Sequence, residues 1–154
     1  MFERVHTAFL ALLLEKDLAM HRLVQRQGPL ALPTPRPAFE ALVRTVVGQQ
    51  LSVKAASTIA DRLTAACDGQ MNPNSIQPLS VDSLRAAGLS QSKAECVLRL
   101  AAFAGPKGQA LEELTQLPRS TWRDELLKIK GIGPWSCDMF GMFGLIVQIH
   151  PQMQ

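Results

Sequence analysis

Apolar residues return every three or four positions along most of the chain, and nowhere do they alternate with polar ones for long enough to make a strand. After Ser52, a suitable N-cap, the stripe runs Ala55, Ala56, Ile59, Ala60 and Leu63, the spacing of one helix face. After Ser90 it runs Ala94, Val97, Leu98 and Ala101, with Lys93 in the first turn. Breaks fall at Gly28-Pro29, the proline-rich Pro33 to Pro37, Asn72-Pro73-Asn74, Gly88 and Gly105-Pro106, where the backbone chemistry stops helices and opens turns. The pattern predicts an all-α protein of about eight or nine short helices. Near the start, the apolar run Ala8 to Leu14 is followed by Glu15, Lys16 and Asp17. A signal peptide needs small residues there, so the run is expected to be a buried helix.

Composition narrows the picture. A chain of 154 residues fits one domain, able to bury roughly 68–70% of the surface it exposes when unfolded. The formal net charge is +3 and the sequence pI is about 9.0, so contact with nucleic acid would rest on a local basic patch, not a chain-wide field. Cys67, Cys96 and Cys137 are odd in number and far apart. Without a C-x-x-C pair they form no zinc or iron–sulfur ligand set, so no metal or cofactor is expected, and reduced thiols in a cytosolic protein fit. No stretch approaches the ~18 apolar residues of a bilayer span, so no membrane partner is expected.

The motif richest in chemistry is Leu126-Leu127-Lys128-Ile129-Lys130-Gly131-Ile132-Gly133-Pro134-Trp135-Ser136. Its apolar residues end one helix, Gly131 and Gly133 bracket Ile132 in a short turn, and Pro134 can open the next helix with its fixed φ. Free amides at the new helix start would point outward together and suit a DNA phosphate, with Lys128 and Lys130 adding charge. The competing reading is a glycine-rich turn between two packed helices.

Two further blocks accompany this hairpin in order. Phe39-Glu40-Ala41-Leu42-Val43-Arg44 with Val47-Gly48-Gln49-Gln50-Leu51-Ser52-Val53-Lys54-Ala55-Ala56 is the first, and Ala86-Ala87-Gly88-Leu89-Ser90-Gln91-Ser92-Lys93-Ala94-Glu95 the second. Together the three resemble the helix-hairpin-helix DNA glycosylases of the DNA-3-methyladenine glycosylase II type, over about Asp17 to Leu145. The resemblance implies a multi-helix, two-lobed glycosylase fold: an N-terminal helical segment at 1–36, a helix-hairpin-helix domain at 37–145 with its hairpin near 126–136, and a divergent tail at 146–154. It also implies a function, the flipping out and hydrolytic excision of alkylated bases such as 3-methyladenine in base-excision repair. The implied partner is double-stranded DNA containing alkylated bases, bound by a monomer in a bacterial-type cytoplasm. The alternative is a shortened, catalytically inactive DNA-binding protein that uses the same hairpin.

The resemblance also assigns residues. Gln50 matches the position that enters the gap left by a flipped nucleotide; a buried, loop-capping glutamine is its plainer reading. Leu89 and Ser90 match a loop that presses on the minor groove, although a core leucine and an N-cap serine would look the same. Lys130, Gly131, Ile132 and Gly133 match the phosphate-binding turn. Trp135 matches the base pocket, where its ring would stack on an extruded base, or else it is core. Relatives that also cut the DNA backbone place a Schiff-base lysine at this position, so an indole implies a monofunctional enzyme. Met139, one turn on, would line the same pocket, with Phe140 and Phe143 packed behind it.

In such enzymes a carboxylate beyond the second helix stabilises positive charge on the sugar and helps water replace the base. Counting on from Trp135, the matching aspartate is expected just past Gln154, so no catalytic residue is assigned. The closing helices are expected to be missing with it, exposing the apolar faces of Phe9, Leu12 and Phe143. Asp138 is expected in the first turn of the second helix, where its charge suits the helix dipole. His150 is expected to be a solvated terminal histidine.

Overall fold

Capping side-chain oxygens open half of the helices. In the computed structural model, which describes residues 2–28 and 36–145, Asp17 accepts from the Met20 amide at the start of α2 (Leu18–Gln27), and Ser52 accepts from Ala55 at the start of α4 (Val53–Ala66). Asn72 and Ser75 form a reciprocal capping box on α5 (Pro73–Ile76), while Ser80 caps α6 (Val81–Ala86) and Ser90 caps α7 (Gln91–Ala104). Each cap satisfies an amide that the helix itself cannot, worth about 1 kcal/mol. The remaining helices are α1 (Phe2–Lys16), α3 (Ala38–Gly48), α8 (Gln109–Thr115), α9 (Arg119–Leu127) and α10 (Pro134–Met139), the last running on into wider π-type turns at Phe140–Leu145. The described residues contain no strand, as the periodicity predicts. There are ten α-helices among them, against the eight or nine expected, because a four-residue helix such as α5 is too short to display a period.

The chain divides into two compact units, Met1–Pro33 and Thr34–Gln154. In the first, α1 and α2 pack on each other, and His21 Nδ1 lies 2.9 Å from the Leu10 carbonyl. The Ala8–Leu14 run is helical, but the expectation that it is buried needs correction. Leu13 is buried, whereas Phe9, Leu12 and Leu14 are exposed. Two helices packed as a pair cover only one stripe of each.

In the second unit α3 is the central element. Ala38, Phe39, Leu42, Val43, Val46 and Val47 are all buried, a stripe too wide for a surface helix, and it packs against α4, α7, α8 and α10. Pro37 supplies no side-chain cap; instead Glu112 of α8 accepts the Ala38 amide at 2.8 Å. The π-type turns lie flat on α3 because Gly144 has no side chain: a Cβ there would stand 2.6 Å from Phe140 Cδ2 and 3.2 Å from Ala41 Cβ. Behind them Trp122 meets Phe140 edge to face, with ring centres 5.8 Å apart, a favoured aromatic geometry. These contacts fix the end of α10 against α3, leaving a cleft between them.

Candidate nucleic-acid interface

The hairpin forms as its glycines require. Helix α9 ends at Leu127, Ile132 donates its amide to the Ile129 carbonyl at 3.0 Å, and Gly131 turns with φ +106°. A Cβ at Gly131 would lie 2.7 Å from both Cβ and Sγ of Cys96, so the turn rests directly on α7. Gly133 enters α10 in extended conformation with no side-chain cap, leaving the leading amides to an outside acceptor such as a phosphate. Ile129 and Ile132 are buried beneath the turn, so the side chain of Ile132 holds the turn in place and is not free to meet a ligand. Lys130 is exposed beside it, while Lys128 pairs with Glu125 at 2.6 Å.

The adjacent glutamines at the end of α3 divide two tasks. Gln49 Nε2 donates to the Gly131 carbonyl at 3.2 Å and to Ser136 Oγ at 2.8 Å, tying the loop to the hairpin. Gln50 is exposed and sits at φ +57°, in the left-handed region. For a non-glycine residue such a conformation stores of order 1–3 kcal/mol of strain and persists only where the surroundings enforce it. The plainer reading of Gln50 as a buried cap therefore fails; the capping glutamine is Gln49. From α7, Lys93 Nζ donates to the carbonyls of Val47 at 2.8 Å and Gln49 at 2.7 Å. Burial lowers the pKa of its ammonium, and the two carbonyls compensate for the water it has lost.

A cleft of about 400 Å³ opens beside this loop, within the range of small-molecule sites. One wall comprises Ala41, Arg44, Thr45 and Gly48 of α3, with Leu51, Val53 and Ala56 beyond; the other comprises Trp135, Met139, Phe143 and Gly144. Trp135 is 51% exposed and Phe143 62%. Trp135 is thus a wall of the cleft and not core. Met139 lines it as well. Phe140 packs behind them, fully buried, but Phe143 faces the cleft instead of backing it, because the wider π-type turns shift the register. Arg36 and Arg44 also line it, each bonded to Glu40 Oε1, at 3.3 Å and 2.7 Å. The roles of Arg44, Gln49 and Lys93 escape the sequence patterns, since each depends on a partner in another segment or on a cleft seen only in the fold.

Other assignments come apart. Leu89 is buried, which matches its core reading and withdraws its side chain from a groove contact. Ser90 stays exposed but is occupied as the N-cap of α7, its Oγ accepting the Lys93 amide at 3.4 Å. Asp138 stands beyond the first turn of α10, not in it, and is held by Arg119 at 2.8 Å and Arg123 at 3.6 Å. It bridges the two hairpin helices. All three cysteines are free and buried. Among the described residues no cluster of His, Cys, Asp or Glu is placed to hold a metal, and no helix is long and apolar enough to cross a membrane. His150 and the rest of 146–154 lie outside the described residues.

A helical body in which a glycine hairpin, a strained glutamine loop and an aromatic-walled cleft adjoin one another has the parts of a helix-hairpin-helix protein. Comparison with known proteins makes the class specific. The pattern of the HhH-GPD superfamily base excision DNA repair proteins matches residues 43–123, over half of the chain, and the chain belongs to this family. It is 31% identical over 127 residues to DNA-3-methyladenine glycosylase 1 of Schizosaccharomyces pombe, covering 80% of this chain and 56% of that one. Among solved structures it is similar to a DNA-3-methyladenine glycosidase of Bacillus halodurans, with 32% identity, TM-score 0.65, and coverage of 86% of this chain and 62% of that one. It is also similar to the S. pombe 3-methyladenine DNA glycosylase Mag1 in complex with abasic DNA, with 30% identity, TM-score 0.66, and coverage of 79% and 62%. The chain thus matches less than two thirds of the length of these relatives.

Proposed function

We propose that this chain reads duplex DNA for alkylated bases as a monofunctional DNA glycosylase of base-excision repair, acting as a monomer on chromosomal DNA in the cytoplasm. The observation that carries the reading is the pairing of an exposed, left-handed Gln50 with a cleft walled by the exposed Trp135. Gln50 would fill the gap in the duplex, and the extruded base would enter the cleft and stack on Trp135. Flipping costs a few kcal/mol, least at a damaged site, and one base–aromatic stack returns about 1–3 kcal/mol. The balance therefore favours lesions over intact pairs. The hairpin amides and Lys130 would hold a phosphate and fix the register without reading sequence. The 3-methyladenine glycosylase names of the relatives support an alkylated purine as the base.

A second reading, lesion binding without turnover, is favoured by one specific feature. Among the described residues lining the cleft none is a carboxylate, and Asp138 is held by two arginines. The test is to incubate the purified chain with methylated DNA and to measure free 3-methyladenine, alongside affinity for a duplex bearing an abasic-site analogue. Base release supports the enzyme; preference for the analogue without release supports the second reading. Neither release nor preference would sink both.

A further inference from the structure

The Gln50 loop presents a physical problem: a glutamine holds a left-handed backbone at the end of a helix, where glycine is the usual solution. The last carbonyls of a helix have no partner within it, and here Val47 and Gln49 give theirs to Lys93 Nζ at 2.8 Å and 2.7 Å. The same Gln49 donates its side-chain amide to Gly131 O and Ser136 Oγ. One residue thus receives α7 through its backbone and the hairpin through its side chain, immediately before Gln50. We propose that Lys93 and Gln49 are positioning residues, a clamp that holds Gln50 in the geometry required for entry into the duplex.

Both hydrogen bonds of the Lys93 ammonium end at the turn that presents Gln50, on the carbonyls of Val47 and Gln49, and neither reaches the hairpin. Without them, two carbonyls lose a cationic partner at the negative end of the α3 dipole, and the loop is free to relax to negative φ, turning Gln50 away. Preorganisation by bonds formed before DNA arrives lowers the ordering cost on binding. The DNA part of the inference rests on the damage-reading function proposed above; the clamp itself does not.

The experiment pairs two readouts on the 154-residue chain. Hydrogen exchange is measured for the parent and for Lys93→Met at Leu51, whose amide bonds the Gly48 carbonyl at 3.2 Å, and at Ile132 in the hairpin; Ile76 and Leu111 serve as remote core controls. The expected result is exchange faster by about tenfold at Leu51 and Ile132, on the order of one lost hydrogen bond to a charged group, with the controls unchanged. Equal acceleration at the controls, or none at Leu51, overturns the clamp. Affinity for the abasic-analogue duplex is then compared across the parent, Lys93→Met, Gln50→Ala and the double variant. Lys93→Met is expected to weaken binding about tenfold in the parent and to add nothing once Gln50 is alanine. Independent, additive losses would show a merely structural lysine. A parent chain with no preference for the analogue would defeat the damage-reading function, while the exchange data would still decide the clamp.

Discussion

Replacing Gly131 by alanine strikes the hairpin at its tightest point. The new Cβ would stand 2.7 Å from both Cβ and Sγ of Cys96, well inside contact distance, and Cys96 lies on a buried face of α7 that cannot retreat without moving the helix. The alanine must also adopt φ +106° or abandon it. Overpacking of a well-filled site costs about 1–3 kcal/mol, and a non-glycine residue in this backbone region adds about 1–3 kcal/mol. The sum, roughly 2–6 kcal/mol, is a large share of the 5–15 kcal/mol typical of a domain. For a chain of this size it lowers Tm by on the order of 10 °C. The assay is equilibrium denaturation, repeated in a Cys96→Gly background that removes both clashing atoms. The single change should destabilise by at least about 2 kcal/mol, and the double variant should recover the overpacking share, a favourable coupling of about 1–3 kcal/mol. A loss below about 0.5 kcal/mol, the level of an ordinary surface substitution, would refute the reasoning, as would the absence of coupling to Cys96.

Trp135→Ala should leave stability within about 1 kcal/mol, since the ring is half exposed. It should still weaken binding to a duplex containing one N-methylated purine by about 5- to 150-fold, the worth of a lost base stack. Asp138→Asn should cost about 0.2–1 kcal/mol of stability, as exposed ion pairs do, and leave lesion binding at the parent level by anisotropy titration; a large binding loss would give Asp138 a role at the lesion. Burial pushes the Cys96 thiol up to about 11 from its ordinary 9.0, with Arg99 pulling weakly the other way. The unfolded thiol ionises first, so this contribution to stability is intact below about pH 9 and is lost as pH rises towards about 11, by up to about 3 kcal/mol. In urea melts the stability of the parent relative to Cys96→Ala should fall by up to about 3 kcal/mol as pH rises through that window; parallel curves would contradict the burial argument.

What the sequence makes legible is local. Serine caps, helix periods and the glycine hairpin are written in neighbouring residues, and the structure forms them where the spacing places them. The cleft's aromatic wall is half legible: Trp135 follows from its place after Gly133-Pro134, but its exposure depends on where α10 lies against α3, and the π-type turns that bring Phe143 into the cleft leave no periodic signature. The division of labour between Gln49 and Gln50 could not be read from two identical neighbours. It depends on a hairpin 82 residues away in the chain and on a lysine whose local context, the first turn of α7, gives no hint of the α3 carbonyls it reaches. Leu89 shows the reverse case, in which a motif position is occupied by a side chain that the core claims.

The most direct test of the DNA-reading assignment is a competition at fixed salt between two duplexes of one sequence, one intact and one bearing a single abasic-site analogue, for the purified 154-residue chain. A preference of about tenfold or more for the analogue, ~1.4 kcal/mol, abolished by Gln50→Ala, is expected. Equal affinity for the two duplexes, or a preference that Gln50→Ala leaves intact, would contradict it.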